Sequence, residues 1–225
     1  MKAAFNILLC LALVSLISCE LTTRATKEIK SCYKKAKFTQ YWIPKEGSKD
    51  MLNNGKIVTL NGPKRYSLKT ASGKVIAKVS KTSYKKFQME GTGLLQSGDL
   101  INIGLTDKEF AIVDKKIHPY GIGSNDNSIY PFTSVASNDL KPGTKLYVKA
   151  IDGLEMPTGQ KHNGCVSVDD SGDSFSGCQL DFFVLDYNNY LKIASKLPET
   201  AQVIAKDCEL LNYTDPTIDA WSYQP

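Results

Sequence analysis

Short runs of alternating apolar and polar residues recur along this chain, separated by clusters of Gly, Asn, Asp and Pro. Lys37-Phe38-Thr39-Gln40-Tyr41-Trp42-Ile43 alternates and is rich in β-formers. Lys56 to Leu60 runs into the turn Asn61-Gly62-Pro63, Val75 to Val79 follows Ser72-Gly73, and Leu100 to Gly104 follows Ser97-Gly98-Asp99. Lys145 to Lys149, Val166 to Val168 and Leu180 to Leu185 continue the series. β-Branched and aromatic residues fit a pleated, half-buried surface, and the intervening residues suit tight turns, so the pattern predicts a mainly β barrel or sandwich. Helical spacing is visible over Tyr187 to Leu197 alone, with Tyr190, Leu191 and Ala194 as its apolar stripe.

The first nineteen residues follow a different pattern. Lys2 precedes an apolar run from Ile7 to Ile17, too short to span a bilayer and ending in small or polar residues, which reads as a secretory signal. Leu16-Ile17-Ser18-Cys19 also resembles a lipobox, which would leave the mature protein anchored through a lipidated Cys19 rather than freely secreted. The remainder, 20–225, is expected to form one domain with N- and C-terminal extensions, monomeric and without a transmembrane segment. Residues 20–30 read as its mobile start. Beyond the signal lie Cys32, Cys165, Cys178 and Cys208, an even number that predicts two disulfides in an exported chain. The expected pairs are Cys165–Cys178, closing one loop, and Cys32–Cys208, tying the ends. With only His118 and His162 and no zinc-like spacing, neither a metal nor another cofactor is expected. The net charge of +5 is dispersed in small lysine clusters, Lys34, Lys35 and Lys37, then Lys81, Lys85 and Lys86. It supports weak attraction to anionic walls and carries no nucleic-acid signature. Asn212-Tyr213-Thr214 is an N-glycosylation acceptor pattern, relevant in a eukaryotic host.

The candidate chemistry lies between Val166 and Asp186. Asp170 and Asp181 stand eleven positions apart across a Gly-bounded loop, and Asp181 interrupts the apolar run Leu180 to Val184. A carboxylate so placed loses hydration when it ionises, which raises its pKa. A carboxylic acid kept protonated near neutrality is what glycosidic cleavage asks of a protein. The acidic stretch from Asp169 to Asp173 is not an EF-hand, because the sixth position would be Ser174 and the twelfth Leu180. Aspartic-protease chemistry needs two Asp-Ser-Gly loops and the chain has one.

Several segments together resemble a known family. Pro142-Gly143-Thr144-Lys145-Leu146-Tyr147-Val148 is similar to the "PLGT-(K/R)-VYI" turn and strand of the Asp-Asp-Asp (3D) domain. Asp170-Ser171-Gly172, Gly177 and Asp181-Phe182-Phe183 resemble its double-Asp segment, while Phe38 to Trp42 and Met89-Glu90-Gly91-Thr92-Gly93 resemble its opening strand and "EGTG" segment. This group includes the membrane-bound lytic transglycosylase A family, and the resemblance covers roughly 37–190. It implies a six-stranded, RlpA-like double-psi β-barrel with additional strands and one or two short helices. It also implies cleavage of β-1,4-linked cell-wall polysaccharide, with Asp181 as catalytic acid and then base and Asp170 as the second site Asp. The third Asp of the family falls on Asn138, or on Asp139 if the register slips by one. The family's loop Lys is here Ser176, and its second Gly is Asp173. Tyr41, Trp42 and Ser171 are the candidate substrate contacts. The competing expectation is a non-catalytic, expansin-like module that binds wall polysaccharide without cutting it.

Overall fold

The computed structural model describes residues 28–172 and 174–221. The expected signal segment with its lipobox at Cys19, and the first part of the mature N-terminus, lie outside the described residues. No helix among those described is long and apolar enough to cross a membrane.

The chain opens with β1 (Ala36–Tyr41). It then builds a lobe from β2 (Lys49–Met51), β3 (Ile57–Thr59), β4 (Tyr66–Lys69), β5 (Val75–Val79), α1 (Lys81–Glu90), β6 (Thr92–Leu94), β7 (Leu100–Ile103) and β8 (Phe110–Ile112). The remaining elements are β9 (Ser134–Ala136), β10 (Lys145–Val148), β11 (Cys165–Asp170), β12 (Gln179–Phe183), α2 (Tyr187–Ile193), β13 (Thr200–Ala201), β14 (Val203–Ala205) and α3 (Pro216–Trp221). The architecture is mainly β, as the alternation predicts.

Seven strands form one mixed sheet in the order β13-β1-β12-β9-β11-β10-β14. β1 runs parallel to β12, and β9 parallel to β11. β12 is buried on both faces, which is why it reads as a continuous apolar run; Asp181 is its one partly exposed position. The main core gathers on this sheet, from Phe38, Val135, Leu146, Val166, Phe182 and their neighbours. The lobe has a second core of Leu68, Val79, Phe87, Leu95, Ile101 and Phe110.

The disulfide pairing needs correction, and the strand order explains it. β11 and β12, the strands that carry the two candidate aspartates, are not neighbours, because β9 pairs with both and separates them. The hydrogen-bonded ladder counts seven strands and is open between β13 and β14. The physical reason is a division at Gln202: Thr200 and Ala201 pair with β1, while Val203 to Ala205 pair with β10, so one segment supplies both edges. The disulfides are Cys32–Cys178 and Cys165–Cys208, not Cys165–Cys178 and Cys32–Cys208. Strand register decides this. The parallel pairing Lys37↔Gln179 carries Cys178 alongside the turn that holds Cys32. Cys165 lies opposite Tyr147 on β10, and Cys208 follows β14 on the other side of that strand, with its Sγ 3.7 Å from the Leu146 carbonyl. Non-reducing peptide mapping is expected to recover these two pairs. Loss of Cys165–Cys208, separated by 43 positions, should cost about 4 kcal/mol in the chain-entropy description.

α1 escaped the hydrophobic pattern because its composition is polar, but its ends are clear. Ser80 caps it by accepting from the Ser83 amide at 3.0 Å, and Gly91 ends it with φ 72°, a left-handed conformation that glycine adopts without strain. Gly93 then lets β6 approach the helix, since a Cβ there would sit 2.4 Å from the Phe87 ring. Two glycines thus deliver the C-terminal end of α1 to the rim of the main sheet.

Candidate active site

Asp181 reaches the site from the centre of β12, and Asp170 from the end of β11. Both pair in register with Ala136 of β9, whose methyl group leaves the floor between them open. Residues in register point to one face of a sheet, so the two carboxyls rise on the same side, two strand spacings or roughly 10 Å apart along the backbone. The register shift between Val168 and Asp170 matters here. One extra residue, Asp169, is accommodated in β11, and Asp170 rather than Asp169 comes opposite Ala136. Bulges re-aim side chains in this way. Asp169 instead accepts from the Ser134 and Ser167 hydroxyls at 2.5 and 2.6 Å.

The two aspartates have different surroundings. Burial pushes the Asp181 carboxyl up to about 7; nearby Thr39 and Lys37 oppose the rise, while Glu90 and Asp170 add to it. Its Oδ1 is buried with no hydrogen-bond partner. Asp170 is also raised by burial, but donors restrain it. Its Oδ1 accepts from the amides of Ser124 and Ser171 at 2.9 and 2.8 Å, and its Oδ2 from the Tyr41 hydroxyl at 3.1 Å. Asp181 is therefore suited to hold and release a proton, while Asp170 is held in place by three donors.

α1 forms the opposite wall. Lys86 is 2% exposed, yet its ammonium lies 2.7 Å from Glu90, 3.3 Å from Asp50 and 2.8 Å from the Met51 carbonyl, with the Trp42 ring beneath it at 5.1 Å. Burial raises the Glu90 pKa and Lys86 pulls it back. Two adjoining cavities of about 470 and 350 Å³ meet at Asp181, and both are bordered by Tyr41, Met89, Glu90 and Ser174. Asp170, Ser171 and Gly172 line the smaller one. The result is an open groove with Asp181 and Asp170 on the sheet side and Glu90 on the helix side. A larger cavity, about 820 Å³, lies elsewhere, between Tyr120, Tyr130, Asp169 and Leu210, and includes neither Asp170 nor Asp181.

The other sequence candidates separate clearly. Tyr41 borders the groove, and its hydroxyl orients Asp170. Ser171 borders it as well, with its amide on Asp170. Trp42 touches the groove wall but is 7% exposed: it packs on Tyr187 and Tyr190, and its Nε1 donates to Asp50 at 3.2 Å. Asn138 clips the loop after β11, donating to the carbonyls of Gly172 and Phe175 and accepting from the Gly172 amide. Asp139 accepts from the Tyr33 hydroxyl and pairs with Lys30 at 3.1 Å. Neither borders the groove. Sequence reasoning missed the Lys86–Glu90 pair, treating Lys86 as part of a surface cluster. The available signal was the i, i+4 spacing within a segment capped by Ser80 and Gly91.

No family model matches the chain, and no curated protein matches it. Several solved structures are similar to it. Escherichia coli MltA with bound chitohexaose is 15% identical with a TM-score of 0.47, covering 79% of this chain and 73% of that one. The membrane-bound lytic murein transglycosylase of Agrobacterium tumefaciens is 10% identical with a TM-score of 0.47, covering 75% and 72%. The lytic transglycosylase LtgG of Burkholderia pseudomallei is 12% identical with a TM-score of 0.42, covering 77% and 73%.

Proposed function

We propose that this chain is an extracytoplasmic glycan-cleaving enzyme of the lytic transglycosylase type, acting on β-1,4-linked cell-wall polysaccharide. The observation that carries the reading is Asp181: a carboxyl raised to about 7, on an open groove that it shares with the Asp170 carboxyl. In the proposed reaction Asp181 donates its proton to the glycosidic oxygen as the bond to the anomeric carbon breaks. The ionised Asp181 then takes the proton of the sugar's own 6-hydroxyl, whose oxygen closes onto that carbon. The nucleophile comes from the substrate, so a single protein acid suffices. Asp170 is assigned to polarising substrate and sustaining the proton on Asp181, whose pKa it helps to raise.

The two disulfides suit an oxidising compartment. We read the main sheet as a six-stranded double-psi barrel in which 200–205 is one strand: its halves edge β1 and β10, with only Gln202 between them. An expansin-like binding module is the second reading, and one observation favours it: the position of the family's third Asp holds Asn138, engaged in the loop rather than the groove.

The deciding experiment is mass spectrometry of peptidoglycan and chitin digests. 1,6-Anhydro ends are the expected result; binding without new ends would establish the second reading. Cleavage should also fall as pH rises through about 7, because the acid must carry its proton. Glu90→Gln removes a negative charge from the facing wall, lowers the Asp181 pKa, and should move this alkaline limb to lower pH in a pH–rate profile. An unmoved limb would exclude coupling across the groove.

A further inference from the structure

The groove is unevenly charged along its length. Its two cavities share Asp181 and Glu90, but the smaller adds Asp170 with no cation among its described lining residues, while the larger adds Lys37 and Lys86. Lys86 is engaged by Glu90, Asp50 and the Met51 carbonyl. Lys37 is exposed and has neither an ion pair nor a side-chain hydrogen bond among the described residues. The sheet sets its direction. Lys37 pairs in register with Gln179, and Thr39 with Asp181. Register partners, and residues two apart on a strand, share a face. The Lys37 side chain therefore rises on the face that carries Asp181, one strand and two positions away, roughly 8 Å along the backbone. Its ammonium is close enough to oppose the rise in the Asp181 pKa.

We propose that Lys37 is a specificity-determining residue that receives a sugar carboxylate in the larger cavity, which makes the substrate an acidic glycan bound in one direction. The inference rests on the glycan reading above and deepens it. A carboxylate is the group this lysine calls for: an ammonium offers three donors and no acceptor, on a flexible stem that can follow a substituent carried by a ring. Thr39 and Gln179 complete the patch between Lys37 and Asp181. The Gln179 amide donates to the Thr39 hydroxyl at 3.0 Å, and both side chains border the larger cavity as polar partners for the ring itself.

The other end of the groove disfavours the same group. A carboxylate in the smaller cavity would meet Asp170, whose own carboxyl already takes the Ser124 and Ser171 amides and the Tyr41 hydroxyl. Attraction at one end and repulsion at the other fix the orientation of a bound chain. The acidic sugar thus lies on the Lys37 side of the scissile bond and a neutral sugar on the Asp170 side. Two kinds of sugar supply such a carboxylate: one that carries a lactyl ether, and one whose sixth carbon is oxidised to the acid. The second has no 6-hydroxyl to close onto the anomeric carbon, so in the proposed reaction it can stand only on the leaving-group side of the bond.

The test is calorimetric titration of the full-length Asp181→Asn protein, with and without Lys37→Gln, using three β-1,4-linked probes: chitohexaose, peptide-free peptidoglycan strands and oligoglucuronate. Chitohexaose, which is neutral, should bind equally with and without Lys37→Gln, and that equality also shows the variant folded. At least one acidic probe should bind more tightly than chitohexaose and weaken with added salt. It should lose about fivefold to tenfold in affinity in Lys37→Gln, the scale of an exposed charge pair with a hydrogen bond. Lys37→Arg keeps the charge and should retain most of that affinity. The probe that responds identifies the source of the carboxylate. Equal losses for neutral and acidic probes would make Lys37 a general contact, and no loss for either acidic probe would place it outside the site; both results overturn the proposal. Chitohexaose binding in those cases preserves the glycan reading, whereas failure of all three probes to bind removes that reading together with this one, so the two failures are distinguishable.

Discussion

Asp181→Asn is expected to lower glycan cleavage by about 10² to 10⁴-fold, the usual contribution of a positioned acid, while leaving polysaccharide binding intact. The amide matches the acid in size and cannot deliver a proton. The same substitution should stabilise the fold at alkaline pH. The folded-state pKa of Asp181, about 7, lies above its ordinary 3.8, so the native state holds the proton more tightly than the unfolded chain. That contribution is fully present below pH 3.8, declines as pH rises, and is lost above about 7, where a charge is forced into the apolar strand. Thermal unfolding should therefore show wild type and variant alike in acid, with the variant more stable above pH 7. Equal cleavage by both proteins would sink the assignment of Asp181; a variant no more stable at high pH would show that burial does not hold its proton.

Lys86→Met should destabilise the protein by about 3–5 kcal/mol, the range for removing one partner from a buried ion pair. Methionine fills most of the volume but strands Asp50, whose side chain is 1% exposed, and Glu90 on the groove wall. Asp50 keeps the Trp42 indole and the Met51 amide as donors, which is too little compensation for a buried charge. Adding Asp50→Asn and Glu90→Gln to Lys86→Met should recover much of the loss, because the cluster would then be neutral. Urea denaturation of the single and triple variants checks both statements. A single-variant loss below about 1 kcal/mol, typical of exposed pairs, would mean that Lys86 is solvated in solution.

Much of the β framework was legible in the chain. The runs at 37–43, 75–79, 145–149 and 180–185 all contain strands, because alternation and turn residues agree there. The placement of Asp181 within a mostly buried strand was legible too, since it interrupts the apolar run Leu180 to Val184. Pairing was not. Nothing in the composition of Ser134 to Ala136 announces that this short strand divides β11 from β12, and the Cys32–Cys178 pair follows from a register between segments more than a hundred residues apart. α1 was hidden because its buried face contains Ser83 and Lys86 beside Phe87, so polar residues that tertiary contacts satisfy look like surface. Asn138, which the motif match aligns with the family's third Asp, fastens a loop.

The division of the last strand at Gln202 has a consequence for the order of assembly. β1 finds its partners only in β12 and β13, near the far end of the chain, whereas the strands of the lobe pair with sequence neighbours. Loop closure must come before such distant pairing is rewarded, so high contact order slows this half of the molecule. During synthesis, the lobe can form while β1 waits, and the sheet gains both its edges only when 200–205 arrives. The first strand among the described residues is thus among the last to be satisfied, and a chain cut short before residue 200 would present β1 as an unprotected edge.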